Sequence, residues 1–316
     1  MIMSDLKGKI WMDGNLLEWS DAKVHVLTHT LHYGTGVFEG VRAYETSSGS
    51  AIFRLNDHTD RLFESARLIG MKIPFSVSDL NDAQKEVVKI NSLKNAYIRP
   101  MCFYGSEGMG LRADNLGVHT CIAAWDWGSY LGDDKILNGI KVKVTDFPKR
   151  TEKSMLHKAK ASGNYLYSML ALKDALNSGF DEALILDVND HINEGSGENF
   201  FMVKDNTLST PKDSTVLNGI TRQTVMQIAK DELGMETEER PIHFVNEFST
   251  FEEMGACGTA AVISPVQSIL YQNEWMHMLN SRDGVGPVMQ KLYNSLTQLQ
   301  KGEREDNFGW TVEVEI

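Results

Sequence analysis

Apolar and polar positions alternate along this chain with two periods, one near two and one near 3.6, and together they predict its strands and helices. "KIWMDGNLL" sets two short strand-like runs around Asp13-Gly14, a pair suited to a tight hairpin turn. Residues 57–70 read as a helix with Leu62, Ala66 and Ile69 on one face and Asn56 or Asp57 as its cap. Residues 79–93 repeat the pattern through Leu80, Ala83, Val87 and Ile90, and "AYIRPMCF" and "HTCIAAW" then read as buried strands. Periodicity lapses in "WGSYLGDDKILNG", so a linker is expected over 131–139, dividing residues 1–130 from 140–316.

Beyond it, "IKVKVTDF" alternates cleanly as a strand, and a helix is expected near 163–177 with Leu166, Leu170 and Leu176 among its apolar positions. "EALILD", a turn at Asn189-Asp190 and "HINEGSGENFFMV" form a linked set of strands. Thr221 to Leu233 reads as a helix stopped by Gly234, "TAAVISPV" as a strand, and residues 286–300 as a final amphipathic helix.

The bulk numbers narrow the function classes. A chain of 316 residues suggests two domains at about 150 residues each. The net charge of −12 argues against nucleic acid as the main partner, since phosphate backbones call for clustered Lys and Arg. Cys102, Cys121 and Cys257 have neither the count nor the spacing of a disulfide framework or a zinc site, and thiols fit a reducing cytoplasm. With no signal-like start and no membrane-length apolar run, a soluble cytoplasmic protein is expected.

Several segments could carry chemistry. Lys158 and Lys160 precede small residues and Tyr165, and a desolvated lysine can form imines near neutral pH, although spacing does not choose between the two. In "EGSGEN", Glu194 and Glu198 stand among glycines that let backbone approach a flat ligand, and a carboxylate there could keep a pyridine nitrogen charged. The Gly-x-Gly precedes a strand and so is no dinucleotide fingerprint. "LNGITRQTV" puts Gly219 and Thr221 at a helix start, an anion site or a simple Thr cap, and "GTAAVISPV" offers a second Gly-Thr pair. Tyr97 and Arg99 share one side of a strand, and an Arg on an apolar strand must be paired or reach a cavity. His25, His29 and His32 have helical spacing for a metal, but Val24, Val26, Thr28 and Thr30 favour a strand that would scatter them; no metal is expected.

Taken in order, "HYGTGVFEG", "HTDRL", "YIRP", "GMGL", "KAKASGNYL", "EGSGEN", "LNGITR" and "GTAA" make a chain that resembles the branched-chain aminotransferases of pyridoxal-phosphate fold type IV, from about residue 10 to the C-terminus. The resemblance implies an α+β fold of two domains, a smaller N-terminal α/β domain and a larger C-terminal cofactor-binding domain with a pseudo-barrel sheet. It implies pyridoxal 5'-phosphate held as a Schiff base by Lys160, with Glu194 at the pyridine nitrogen and Tyr165 at the phenolic oxygen. Arg61, the amides of Ile220 and Thr221, and Thr259 would hold the phosphate, with Leu217 against the ring and Asn199, Gly219 and Gly258 beside it. Tyr97, Thr259 and Ala260 would take the substrate α-carboxylate, while Phe38, Gly40, Trp127 and Tyr130 shape the side-chain pocket. Arg99 would pair with the γ-carboxylate of glutamate, and Tyr33 and Met109 would come from a neighbouring subunit, making a homodimer the smallest active unit. The implied reaction exchanges amino groups between branched-chain L-amino acids and 2-oxoglutarate; a D-amino-acid transaminase or an aminodeoxychorismate lyase of the same fold is the alternative. His157 and Lys158 would make the approach to Lys160 more cationic, unless His157 faces water.

Overall fold

A computed structural model describes residues 2–127, 138–147, 153, 156–212, 214–278 and 285–316. In chain order the elements are β1 (Lys9–Met12), β2 (Asn15–Glu18), α1 (His29–Tyr33), β3 (Gly36–Phe38), β4 (Val41–Thr46), β5 (Gly49–Phe53), α2 (Leu55–Leu68), α3 (Val77–Ile90), β6 (Ala96–Tyr104) and β7 (Val118–Trp125). There follow β8 (Ile140–Val144), α4 (Tyr165–Asn177), β9 (Glu182–Leu184), β10 (Asn199–Lys204), β11 (Thr207–Thr210), α5 (Ile220–Asp231) and β12 (Glu236–Glu239). The chain ends with α6 (Phe244–Glu247), β13 (Glu253–Gly258), β14 (Val262–Tyr271), β15 (Glu274–Met276), α7 (Pro287–Gln300) and β16 (Thr311–Val314). The mixture is α+β, with one sheet in each of two compact units.

The first unit comprises Met1–Gly128, Ala159–Asn164 and Gln298–Ile316. Its sheet runs β16-β5-β4-β6-β7-β1-β2, with β3 on β6. Asp13 and Gly14 both take positive φ between β1 and β2, as the hairpin requires. Val41, Ile52, Ile98 and Ile122 of the sheet bury against Leu62 and Ala66 of α2 and Leu80, Ala83 and Val87 of α3. Each larger aliphatic side chain so buried contributes about 1.5–3 kcal/mol. Two stretches beyond the expected linker belong here for visible reasons: Ala161 bridges Val37, and β16 pairs with β5. Residues 128–137, most of that linker, and Tyr130 lie outside the described residues.

The helix starts differ from expectation. Neither Asn56 nor Asp57 caps α2; Arg54 does, at φ 55°, and the Asp57 carboxylate accepts its Nε–H at 2.6 Å. In α3 the cap is Ser76, in a reciprocal box with Asp79, and Ile90 lies exposed at the helix end.

The second unit comprises Ser129–Lys158 and Tyr165–Thr297. Its mixed sheet runs β12-β11-β10-β13-β14-β8-β9, with β15 on β14. Phe200, Met202, Met254, Ala256, Ile269 and Phe244 are among the residues filling its core. The helix expected near 163–177 is present as α4. Leu166, Leu170 and Leu176 of α4 are exposed, and Ser168, Ala171 and Ala175 are buried, the alanines beside Phe180, Ala183 and Ile185. Small residues let the helix backbone approach the sheet closely, so the large apolar ones point outward.

Candidate active site

In the first unit, a cluster gathers around β3 and the chain that follows it. Phe38 N–H donates to the Lys160 carbonyl at 3.1 Å, and Lys160 N–H donates to the buried Ser65 Oγ of α2 at 3.0 Å. Lys160 is therefore clamped by its backbone, half-buried, with Nζ 5.2 Å from the Phe38 ring centroid. Lys158, by contrast, is exposed. That contrast separates the two lysines that spacing alone leaves equal. His157 is buried and does not face water.

Arg99 lies over the Phe38 ring at 4.8 Å and donates Nη2–H to the Tyr97 hydroxyl at 3.0 Å. Its Nε is buried and without a hydrogen-bond partner among the described residues, so this donor awaits an acceptor. Tyr97 packs edge-on against Trp127, with ring centroids 4.5 Å apart. Gly40 faces the same hydroxyl, for a Cβ there would lie 2.1 Å from it. Phe38, Gly40, Tyr97, Arg99, Trp127 and Lys160 are thus one constellation.

Sequence reasoning overlooked the residue at its back. Glu39 is fully buried, and its carboxylate accepts from Arg61 Nε at 2.6 Å, Arg61 Nη2 at 2.8 Å and His58 Nδ1 at 2.8 Å. Burial alone would raise its pKa, but the Arg61 charge and the His58 hydrogen bond carry it well below the usual carboxylate range. Burial pushes the His58 imidazole down, so the ring is neutral and donates its Nδ1–H.

Tyr33 and Met109 stand apart from this cluster and are exposed. His29 ties their two segments together: its Nε2 meets the Gly110 carbonyl at 2.7 Å, and its ring lies 4.5 Å from that of Tyr33. The strand expected through the histidine triplet is instead the short helix α1, ended by left-handed Gly34, whose N–H donates to the Thr30 carbonyl. The ring nitrogens of His29 are used by Thr35 Oγ1 and Gly110, and His32 Nε2 meets the Val26 carbonyl. No metal-ligand group of three occurs among the described residues.

The second unit gathers the other set. Leu217 N–H donates to Glu194 Oε2 at 3.3 Å, and Asn199 Nδ2 donates to the Leu217 carbonyl at 2.9 Å. Asn199 also abuts Gly219, where a Cβ would lie 2.1 Å from its Oδ1. The turn carrying Glu194 is pinned by Glu182, a buried carboxylate that accepts from Ser196 N–H and Oγ–H, both at 3.0 Å. Glu198 instead serves its own loop through Gly197 N–H, so Glu194 is the acid left at Leu217.

Gly219, and not Thr221, caps α5, and it brings no side-chain acceptor to the leading amides. The comparison with α7 is instructive: there the Glu253 carboxylate takes the amides of Val288 and Met289 at 3.1 and 2.9 Å. A helix start without a side-chain cap leaves its N–H groups and the positive end of its dipole to other acceptors. Fully buried Arg222 holds that start in place through Thr210 Oγ1, the Pro211 carbonyl and Asn218 Oδ1. Thr259 and Ala260 lie in the tight turn between β13 and β14, next to Gly258, which approaches Gly197. Tyr165 is half-buried as the first residue of α4.

The first unit thus holds a clamped lysine and an oriented arginine, and the second holds a half-buried carboxylate and a helix start without a side-chain cap. Residues 36–269 match the family model described as amino-transferase class IV. The branched-chain-amino-acid aminotransferase of Pseudomonas aeruginosa is 46% identical over 310 residues, covering 98% of each chain. That of Escherichia coli is 39% identical over 307 residues, covering 96% of this chain and 97% of its own. The crystal structure of an Escherichia coli branched-chain amino acid aminotransferase superposes with a TM-score of 0.91 at 38% identity, over 98% of this chain and all of that one. A branched-chain amino acid aminotransferase from Thermobaculum terrenum, solved in its PLP-form, gives a TM-score of 0.88 at 28% identity, over 98% and 99% of the two chains.

Proposed function

The chain belongs to the class IV amino-transferases, and from that premise we propose that it transfers the amino group of branched-chain L-amino acids to 2-oxoglutarate. The products are the branched-chain 2-oxo acids and L-glutamate, and the cofactor is pyridoxal 5'-phosphate. When bound, that cofactor supplies an electron sink for the carbanion formed as the substrate Cα loses its proton.

The chain's own residues supply the rest. Lys160 Nζ would hold the cofactor and, once displaced from it by the substrate amine, would move the proton from and to Cα as general base and acid. Glu194 would keep the ring nitrogen protonated by its charge, Tyr165 would hold the phenolic oxygen, and Leu217 and Asn199 would border the ring. Arg61, Thr259 and the amides of Ile220 and Thr221 at the start of α5, beside Gly219 and Gly258, would hold the phosphate. Tyr97 and the Thr259–Ala260 turn receive the α-carboxylate; Phe38, Gly40, Trp127 and Tyr130 enclose the side chain.

One observation carries the substrate assignment: Arg99, set against the Phe38 ring and the Tyr97 hydroxyl, has a buried Nε without a partner among the described residues. Leucine can lie along the apolar ring, whereas the γ-carboxylate of glutamate can take the waiting N–H as a charge-assisted bond. One pocket thus serves both half-reactions.

The working unit is at least a homodimer, to which Tyr33 and Met109 contribute across the interface. Exposed Val26, Leu31, Tyr33, Met109 and Leu111 support this, and so does the apolar stripe of α4. A cytoplasmic location fits its thiols, and among the described residues no helix is long and apolar enough to cross a membrane.

An absorbance scan of the purified holoprotein tests the function. Its visible cofactor band should bleach with L-leucine or L-isoleucine and return with 2-oxoglutarate. Bleaching by D-alanine or turnover of aminodeoxychorismate, with L-leucine inert, would move the protein to another branch of the fold. Lys160→Ala should abolish turnover.

A further inference from the structure

We propose that Glu39, seconded by His58, is a positioning residue that holds the Arg61 guanidinium in the orientation needed to receive the cofactor phosphate. This rests on the reading of Arg61 as a phosphate ligand. Glu39 follows β3, and its N–H is bonded to the Pro100 carbonyl of β6 at 2.9 Å, so its backbone is fixed to the sheet. His58 and Arg61 lie three residues apart on α2, hence on one helix face, and both reach the same carboxylate.

The contact with Arg61 is side-on, through Nε to Oε1 and Nη2 to Oε2. Two parallel bonds fix the plane of the guanidinium and turn Nη1 away from the carboxylate. Glu39 is 0% exposed, whereas Arg61 retains 14%. The carboxylate therefore grips the guanidinium from the protein side. His58 Nδ1–H and Gly40 N–H, the latter at 3.3 Å, both bond Oε2 and keep the carboxylate itself from rotating.

Stability alone does not account for this arrangement. A buried ion pair is commonly neutral or unfavourable against an apolar replacement of similar volume, because both charges must be desolvated. An oriented guanidinium has a clear use: its planar fork matches phosphate only in particular poses. Gln at position 39 would keep the shape but present an amide N–H₂ to one of the donors that now find an oxygen, and the fork would turn.

The test compares two ligands on the same protein. Holoenzyme is resolved by dialysis, then titrated with pyridoxal phosphate and with pyridoxal, which lacks the phosphate. Glu39→Gln should weaken pyridoxal phosphate about tenfold to a hundredfold, the value of a hydrogen bond to a charged group. It should leave pyridoxal unchanged, and it should add nothing in an Arg61→Ala background. Glu39→Asp should recover part of the loss. Should Glu39→Gln fail to fold, His58→Asn supplies the same contrast with a smaller effect. Equal weakening of both ligands, or an undiminished effect of Glu39→Gln without Arg61, overturns the proposal. If Arg61→Ala itself binds pyridoxal phosphate normally, the failure lies with the phosphate role of Arg61, and the proposal falls with it.

Discussion

Substituting Gly40 by alanine tests the wall that the proposed function assigns to the substrate side chain. The new Cβ would lie 2.1 Å from the Tyr97 hydroxyl and 2.9 Å from its Cζ, where ordinary contacts begin at 3.4 Å. Tyr97 would have to withdraw its hydroxyl end by the difference between 3.4 and 2.1 Å, about 1.3 Å. Its ring has little room to do so, being 7% exposed and walled by Trp125 at 5.2 Å and Trp127 at 4.5 Å. A shift of that size also breaks the 3.0 Å bond from Arg99. Overpacking of this kind costs about 1–3 kcal/mol, and losing a bond from a charged donor costs about 1.5–3 kcal/mol. The two overlap, so a stability loss of about 2–4 kcal/mol is expected in urea titration. If about 2 kcal/mol of it also falls on the transition state, kcat/KM for L-leucine drops about thirtyfold. The cofactor absorbance should not change. Adding Tyr97→Phe removes the 2.1 Å contact but not the lost Arg99 bond, so stability should recover in part and activity should not. A Gly40→Ala protein of unaltered stability and kinetics would refute this reasoning, as would a double variant no more stable than the single one.

Arg222→Met keeps the buried stem but removes the donors to Thr210, Pro211 and Asn218; a loss of about 3 kcal/mol is expected in urea titration, with weaker pyridoxal phosphate binding as the start of α5 loosens. His119 joins Asp13 at 2.7 Å and Glu107 at 3.2 Å; burial opposes its charge, but its bonds to the acceptors Asp13 and Glu107 raise its pKa, while those around Glu107 lower that carboxyl despite burial. The pair should therefore stabilise the segment carrying Met109 fully below about pH 6.5 and lose its effect as pH rises through the elevated His119 pKa; acid protonating Glu107 removes it from the other side. His119→Gln should flatten the alkaline decline in Tm, and an unchanged slope would count against the tether. Burial pushes the thiols of Cys102 and Cys121 up to about 12 and raises that of Cys257 as well; thiol reagents at pH 8 should label the native protein far more slowly than the unfolded one, without loss of activity.

The elements legible from the sequence are those whose periodicity is local. The Asp13-Gly14 hairpin, the strands at 96–104 and 118–125 and the helix after Gly219 all follow from residues a few positions apart. Periodicity places helix α4 but does not tell which of its faces is buried, and the buried residues are Ser168, Ala171 and Ala175. Its leucines face outward, where assembly with another copy would cover them. Lys160, Glu194 and Gly219 stand in short segments whose neighbours can be read together in the sequence, and they are the residues the proposed function uses. What stayed hidden is the support behind them. Glu39 meets Arg61 across 22 residues, Glu182 meets Ser196 across 14, and Arg222 meets Pro211 across 11. An isolated Glu or Arg reads as a solvated charge until the fold brings its partner to it. The return of Ala159–Asn164 to the first unit is likewise a matter of pairing with β3, which no local pattern encodes.

On the proposed function, Lys160, clamped by Ser65 and Phe38, carries the cofactor and exposed Lys158 does not. Borohydride reduction of the holoprotein followed by peptide mass mapping examines it directly. A single pyridoxyl-phosphate mass addition on Lys160 is the expected result; an addition on Lys158, or none on either lysine, would contradict it.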